Sequence, residues 1–177
     1  MTEKGLTQTT DTQEARKQES QKAPKRAADS HVEQIYAVRP ASINGYGRLF
    51  GGQLMQWIDE TAGFVSRRHC GTIVTTAAVD TLNFIAPAYA NEIVVVAGSV
   101  TYVGHTSMEV RVDTYVEEMD GERRRINTAF LVMVSIDDHG NGLPVPGLIL
   151  ETEEQKAEWE AGRKRYELRK QRRKEGF

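Results

Sequence analysis

The apolar and polar positions of this chain follow first a helical period and then, for most of its remaining length, a strand period. From Gln53 to about His69, Leu54, Ile58, Ala62 and Val65 recur on one face at about 100° per residue, with Met55 at the edge of that face. Trp57 and Phe64 fall roughly 100° away from the centre of that stripe, so the predicted helix is apolar on two sides and needs more than one surface to cover it. Arg67, Arg68 and His69 in its last turn, with Gly71 beyond, are an ordinary helix ending. Before it, residues 31–39 read as a short strand stopped by Pro40, and residues 44–52 form a glycine-rich loop.

After the helix come strands. One starts at Ile73 and runs to Asp80, and the segment after it ends at Pro87. A Val-rich run spans 93–103, and residues 106–118 alternate cleanly. Met108, Val110, Val112 and Val116 share one face of the last of these, with Glu109, Arg111, Asp113 and Glu117 on the other, which predicts a strand with one wet face. Asp120-Gly121 is a hairpin signal. Residues 124–136 return as the next strand, with Ile126, Phe130, Val132 and Val134 expected inward. A helix is expected from Glu151, acidic at its start and basic at its end in accord with the helix dipole. Its basic run fits a solvated face, an anionic contact, or a contact with the nucleotide of a bound ligand. The order strand, buried helix and four antiparallel strands predicts an α+β fold, with a sheet curled around one helix and doubled by dimerisation.

Composition narrows the function. Residues 1–30 lack Val, Ile, Phe, Tyr and Trp and are expected to be a disordered tail, leaving a domain over 31–150 and an added helix over 151–177. The 39% apolar and 27% charged fractions suit a soluble globular protein. No apolar run is long enough for a membrane span, and the N-terminus has no signal-peptide core, so a cytoplasmic location is expected. One cysteine, Cys70, and four scattered histidines predict neither an intrachain disulfide nor a metal site. A net charge of −2 gives no reason to expect nucleic acid.

Asp59 is the most informative residue. It sits roughly 60° from Ala62 and roughly 40° from Met55 around the helix, at the margin of the apolar stripe. Small neighbours (Gly52, Ala62, Gly63 and Ser66) leave room beside it. A half-buried carboxylate with space suits a general base or nucleophile, and equally a salt bridge or an interface. Gly51 and Gly52 fall at the helix start, where free N–H groups can hold negative charge on an oxygen, although a plain turn has the same composition. Asn44 offers a donor and an acceptor for a carbonyl or water, and Asn-Gly is also a common turn.

The run from Asn44 through Gly51-Gly52 to Asp59-Glu60-Thr61-Ala62 resembles the signature of hotdog acyl-CoA thioesterases of the brain and bacterial acyl-CoA hydrolase type. Residues 79–87 and 103–112 resemble two further blocks of that family in the same order. The resemblance implies hydrolysis of fatty acyl-CoA to free acid and CoA. Asp59 then activates water or attacks directly, Asn44 holds the thioester or water, and the main chain at Gly52 polarises the carbonyl. It implies no cofactor beyond the CoA of the substrate. It also implies a homodimer whose subunits share each site, assembling into a hexamer. Gly104, His105, Thr106 and Ser107 match the turn that lies near CoA, with His105 where many relatives have arginine; Arg67, Arg68 or the basic run then stand as replacements for that charge. Two rivals are weaker. A dehydratase needs a histidine paired with an acid on the central helix, and His69 lies at its very end. A non-catalytic acyl-CoA sensor that reads DNA needs a folded reader, which residues 1–30 cannot build.

Overall fold

A computed structural model of the chain describes residues 22–176. Its elements run β1 (Lys25–Arg26), α1 (Ala27–Ser30), β2 (Val32–Ala37), a 3-10 turn (Pro40–Ser42), α2 (Gly51–Cys70), β3 (Ile73–Phe84), β4 (Ile93–Val103), β5 (Ser107–Glu117), β6 (Arg123–Ile136), β7 (Leu148–Ile149) and α3 (Glu153–Glu175). Five strands form an antiparallel sheet in the order β2-β4-β5-β6-β3, and β1 pairs with β7 in a small parallel ribbon. This is the expected α+β hotdog architecture: one sheet folded onto one long helix.

The apolar stripe of α2 goes where its period put it. Leu54, Ile58, Ala62 and Val65 are all buried against Val94, Val96, Val110 and Val112 of the sheet. Trp57, on the other flank, stacks on Tyr36 of β2 with ring centroids 4.3 Å apart. Met55, at the edge of the stripe, and Phe64, on the second apolar side, both stay 46% exposed, so one chain leaves each flank partly uncovered. The helix stops at Gly71 in the left-handed conformation, its N–H bonded to the Arg67 carbonyl.

Three expectations change in the structure. The first concerns the tail. Lys25 and Arg26 pair with Leu148 and Ile149, and Ser30 is buried with its Oγ 3.4 Å from His69 Nδ1. Ordered structure therefore begins before residue 30, while the rest of the expected tail, residues 1–21, lies outside the described residues. Low apolar content did not reveal this because the contacts are polar: Lys25 Nζ donates to the Arg68 carbonyl at 2.7 Å.

The second concerns β6. Its inward residues are Ala129, Leu131 and Met133, and Phe130, Val132 and Val134 face the other way. Ile126 is inward as expected. It is also the extra residue of a bulge, since Thr114 opposes Asn127 and Tyr115 opposes Arg125. One inserted residue reverses the parity of everything after it.

The third concerns the wet face of β5, which is not wet. α3 lies across it, and Glu109 is 1% exposed. Arg165 Nη2 donates to Glu109 Oε1 at 2.8 Å, Arg169 Nη1 to Glu109 Oε2 at 3.0 Å and to Asp80 Oδ2 at 2.8 Å, and Arg111 Nη1 to Glu158 Oε2 at 2.9 Å. The Arg165 guanidinium also sits 3.9 Å from the Phe130 ring centre. Much of the basic run is therefore a clamp rather than a solvated face. The helix itself begins with a capping box at Thr152 and Gln155.

Gly162 lets α3 approach the sheet. A Cβ there lies 2.7 Å from Tyr102 Cβ and 2.9 Å from Glu109 Oε1. Alanine in a helix interior normally adds about 1 kcal/mol of stability over glycine. Here the clash outweighs that gain, and Gly162→Ala is expected to lose about 1–3 kcal/mol through overpacking. A urea midpoint that rises instead means that α3 is not seated this closely.

Candidate functional site

The loop ahead of α2 is pinned by two bridges, Ile43 with Leu49 and Arg48 with Tyr89. Inside it, Asn44 Oδ1 accepts the N–H groups of Tyr46 at 2.9 Å and Arg48 at 3.2 Å. The amide oxygen thus shapes the loop, and among the described residues Nδ2 makes no hydrogen bond, which leaves a donor for another group. Asn44 lines a cleft of about 370 Å³ with Gly51, Phe84 and Pro87. The N-cap of α2 is Phe50, which makes no side-chain cap bond, so the first helical N–H groups have no side-chain partner there. Gly52 is one of them. A Cβ at Gly52 lies 2.5 Å from the Phe50 ring, so only glycine fits beside that ring without moving it.

Asp59 lies two turns further along α2, about 12 Å up the axis from Gly51. It is exposed in the single chain, not half-buried as its place at the stripe margin suggested. Its Oδ1 accepts a hydrogen bond of 2.6 Å from Thr76 Oγ1 of β3. One carboxylate oxygen is thereby fixed and the other is left to accept a proton or attack. Thr76 was not among the residues singled out from sequence; a threonine in a strand is ordinary strand composition, and only the fold brings it to Asp59. Among the described residues no hydrogen bond joins Asn44 to Asp59.

The remaining candidates separate. Arg67 lines a cleft with residues 71–74, and Arg68 Nη1 donates to the His31 carbonyl at 2.8 Å, tying α2 to the N-terminal segment. Gly104 to Ser107 make a tight turn, with the Gly104 N–H donating to the Ser107 carbonyl at 2.7 Å. Thr106 and Ser107 of that turn line a different cleft from the one that Asn44 lines. His69 is fully buried, with Nδ1 near Ser30 and Nε2 3.1 Å from the Pro146 carbonyl; burial holds its pKa below the usual imidazole range. Among the described residues no group of three His, Cys, Asp or Glu side chains is placed to hold a metal, and no helix is long and apolar enough to cross a membrane.

β3 is an edge strand of twelve residues, and its apolar side chains Ile73, Val79 and Phe84 are each about half exposed. A long apolar edge of this kind is a surface for pairing with another strand.

Residues 46–122 match the Thioesterase superfamily. A Bacillus subtilis protein described as an uncharacterized acyl-CoA thioester hydrolase is 39% identical over 128 residues, spanning 72% of this chain and 74% of the relative. The human cytosolic acyl coenzyme A thioester hydrolase is 35% identical over 147 residues, 81% of this chain and 38% of its own length. The Staphylococcus aureus acyl-CoA hydrolase in complex with butyryl-CoA and CoA superposes with a TM-score of 0.80 at 32% identity, covering 85% of this chain and 93% of that one. Structures of the staphylococcal enzyme also exist with single alanine replacements of an aspartate, an asparagine and a threonine. An apo-hexameric acyl-CoA thioesterase superposes with a TM-score of 0.81 at 34% identity, covering 85% of this chain and 97% of that one. With this identity, this coverage and the sheet wrapped on its central helix, the chain belongs to the hotdog-fold acyl-CoA thioester hydrolases of the thioesterase superfamily.

Proposed function

We propose that the protein hydrolyses fatty acyl-CoA to free acid and CoA at a site built from Asp59 and Thr76 of one subunit and from Asn44 and Gly52 of its partner, since Asn44 shares a cleft with the start of α2 and Asp59 lies two turns further along that helix. The observation that carries this is a spacing. In the staphylococcal enzyme the replaced asparagine, aspartate and threonine are separated by fifteen and seventeen positions, the separations of Asn44, Asp59 and Thr76 here. The Thr76–Asp59 hydrogen bond gives that spacing a physical reason. The threonine O–H orients the carboxylate, whose free oxygen takes a proton from water or attacks the acyl carbon itself. In the first route the tetrahedral intermediate collapses, the C–S bond breaks and the thiolate leaves with the proton that the carboxylate took from water. In the second the thiolate is expelled as the mixed anhydride forms and takes a proton from solvent; water then cleaves the anhydride to free acid and carboxylate. The Gly52 N–H faces the carbonyl oxygen as it gains negative charge, and the free Asn44 Nδ2 holds the thioester or the water. The chemistry needs no cofactor beyond the CoA of the substrate.

Sharing between subunits is supported by the two turns of helix that separate Asp59 from the Asn44 loop, together with the half-exposed Met55, Phe64 and β3 edge. The hexameric relative supports a trimer of such dimers. The cytosolic human relative supports a cytosolic setting. The test is complementation. Thiol release from acyl-CoA by the wild-type protein is the reference, and Asn44→Ala and Asp59→Ala subunits, each inactive alone, are refolded together. Half the dimers are then mixed, one site of each mixed dimer carries neither lesion, and roughly a quarter of wild-type activity should return. If mixed dimers are present and no activity returns, the shared site is wrong; if the wild type releases no thiol, the activity itself is wrong.

A further inference from the structure

One row of side chains crosses the inner face of the sheet beneath the start of α2. Thr114 of β5 stands opposite Asn127 of β6, and Asn127 stands opposite Phe84 of β3. Thr114 and Asn127 are 0% exposed and share the inward parity of Val112 and Ala129. Phe84 reaches the helix: a Cβ at Gly51 lies 3.4 Å from the tip of its ring.

The middle of the row ties down the end of β3. Asn127 Nδ2 donates to the Asn83 carbonyl at 2.9 Å, one residue before Phe84. The carbonyl of the bulged Ile126 accepts the N–H groups of Ile85 at 2.9 Å and Ala86 at 3.3 Å. Phe84 is therefore held from both sides by residues 126 and 127. Gly52 follows Gly51, so the seat of the Phe84 ring also sets where the first N–H groups of α2 point.

Two polar atoms in this row are unpaired. Among the described residues, Thr114 Oγ1 and Asn127 Oδ1 have no hydrogen-bond partner. An unpaired buried hydroxyl or amide oxygen is costly, and a strand needs neither: valine fits a threonine site, and a bulge forms without a side-chain amide. The two residues are directly opposed, which places their Cβ atoms about 5 Å apart. One internal water between them serves both, as donor to the amide oxygen and partner to the hydroxyl.

We propose that Asn127 is a positioning residue for the hydrolysis, and that Thr114 and Asn127 share an internal water that fixes the Asn127 amide. The amide then pins Asn83 and Phe84, and the Phe84 ring sets the start of α2. The proposal rests on the reading of the Gly52 N–H as donor to the thioester carbonyl.

The experiment uses the full-length protein and four variants: Thr114→Val, Asn127→Leu, the two together, and Thr114→Ser. Valine has the shape of threonine without its hydroxyl, and serine keeps the hydroxyl. Urea midpoints read the water and need no turnover. Each of the first two variants should lower the midpoint, because it takes a partner from the water and leaves the opposite group unpaired. The double variant should lose clearly less than the sum, because neither group is then left behind. A Thr114→Val midpoint that rises, or losses that simply add, overturns the shared water.

Thiol release from acyl-CoA reads the positioning, at a temperature where each variant is folded. kcat should fall about tenfold in Asn127→Leu and severalfold in Thr114→Val, with KM within about twofold, because a shifted helix start misplaces the Gly52 N–H. Thr114→Ser should keep kcat within about twofold of the wild type. A folded Asn127→Leu with wild-type kcat overturns the positioning role, since a residue that only stabilises the fold leaves the kcat of folded protein alone. If Asn127→Leu does not fold, Thr114→Val decides: a lower kcat that serine spares sustains the role, and a wild-type kcat overturns it. A wild-type protein that releases no thiol overturns the hydrolase reading and with it the positioning role, while the midpoints still decide the water.

Discussion

Asp59→Asn is expected to lower kcat for acyl-CoA by ~10²–10⁴, the usual loss when a general base is removed. The amide has nearly the same shape, and its oxygen still accepts the Thr76 hydroxyl that fixes Asp59 Oδ1 at 2.6 Å. What changes is the other atom, from an oxygen that takes a proton or attacks to an NH₂ that does neither. Asp59 is exposed in the single chain and has no ion-pair partner among the described residues, so folding loses little. The measurements are kcat and melting temperature together. A folded variant with near-normal kcat makes Asp59 a structural residue and removes the mechanism.

Glu109→Ala should have the largest effect on stability, a loss of about 3–5 kcal/mol, because it removes one of the two carboxylates paired with each of the largely covered Arg165 and Arg169 guanidinium groups. The Glu109 side chain is 0% exposed and accepts from Thr101, Arg165 and Arg169. Removing it leaves Arg165 to Glu158 and Arg169 to Asp80, which already serves Arg172. The contrast is the Glu33–Arg123 pair, at 2.6 Å but with side chains 32% and 36% exposed. Glu33→Ala should cost no more than about 1 kcal/mol, because water screens an exposed pair. Urea unfolding of both variants tests the ranking. Equal shifts in the two midpoints mean that α3 is not held by this clamp.

The sequence disclosed the parts of the fold that depend on local period. α2 buries Leu54, Ile58, Ala62 and Val65 because a 3.6-residue repeat leaves them no other arrangement. β4 spans Ile93–Val103 as its Val-rich run indicated. What was not legible depends on contacts between distant segments. Ile126 looks like any strand residue, yet its bulge turns Phe130 and Val134 away from the core. Glu109 alternates as a solvent residue does, and nothing nearby in sequence announces that Arg165, 56 positions later, will cover it. The site divides in the same way. Asn44 and Asp59 stood out through residue type and setting, whereas Thr76 acquires a role only when β3 is laid beside α2.

The clamp between α3 and the sheet has a consequence for synthesis. The strands leave the ribosome before Arg165 and Arg169 do, and an unfinished sheet with a wholly apolar outer face would adhere to other nascent chains. Asp80, Glu109, Arg111 and Asp113 put hydrated charge on that face for as long as it waits. The carboxylates that α3 later buries are expected, until then, to help keep the partly made protein in solution.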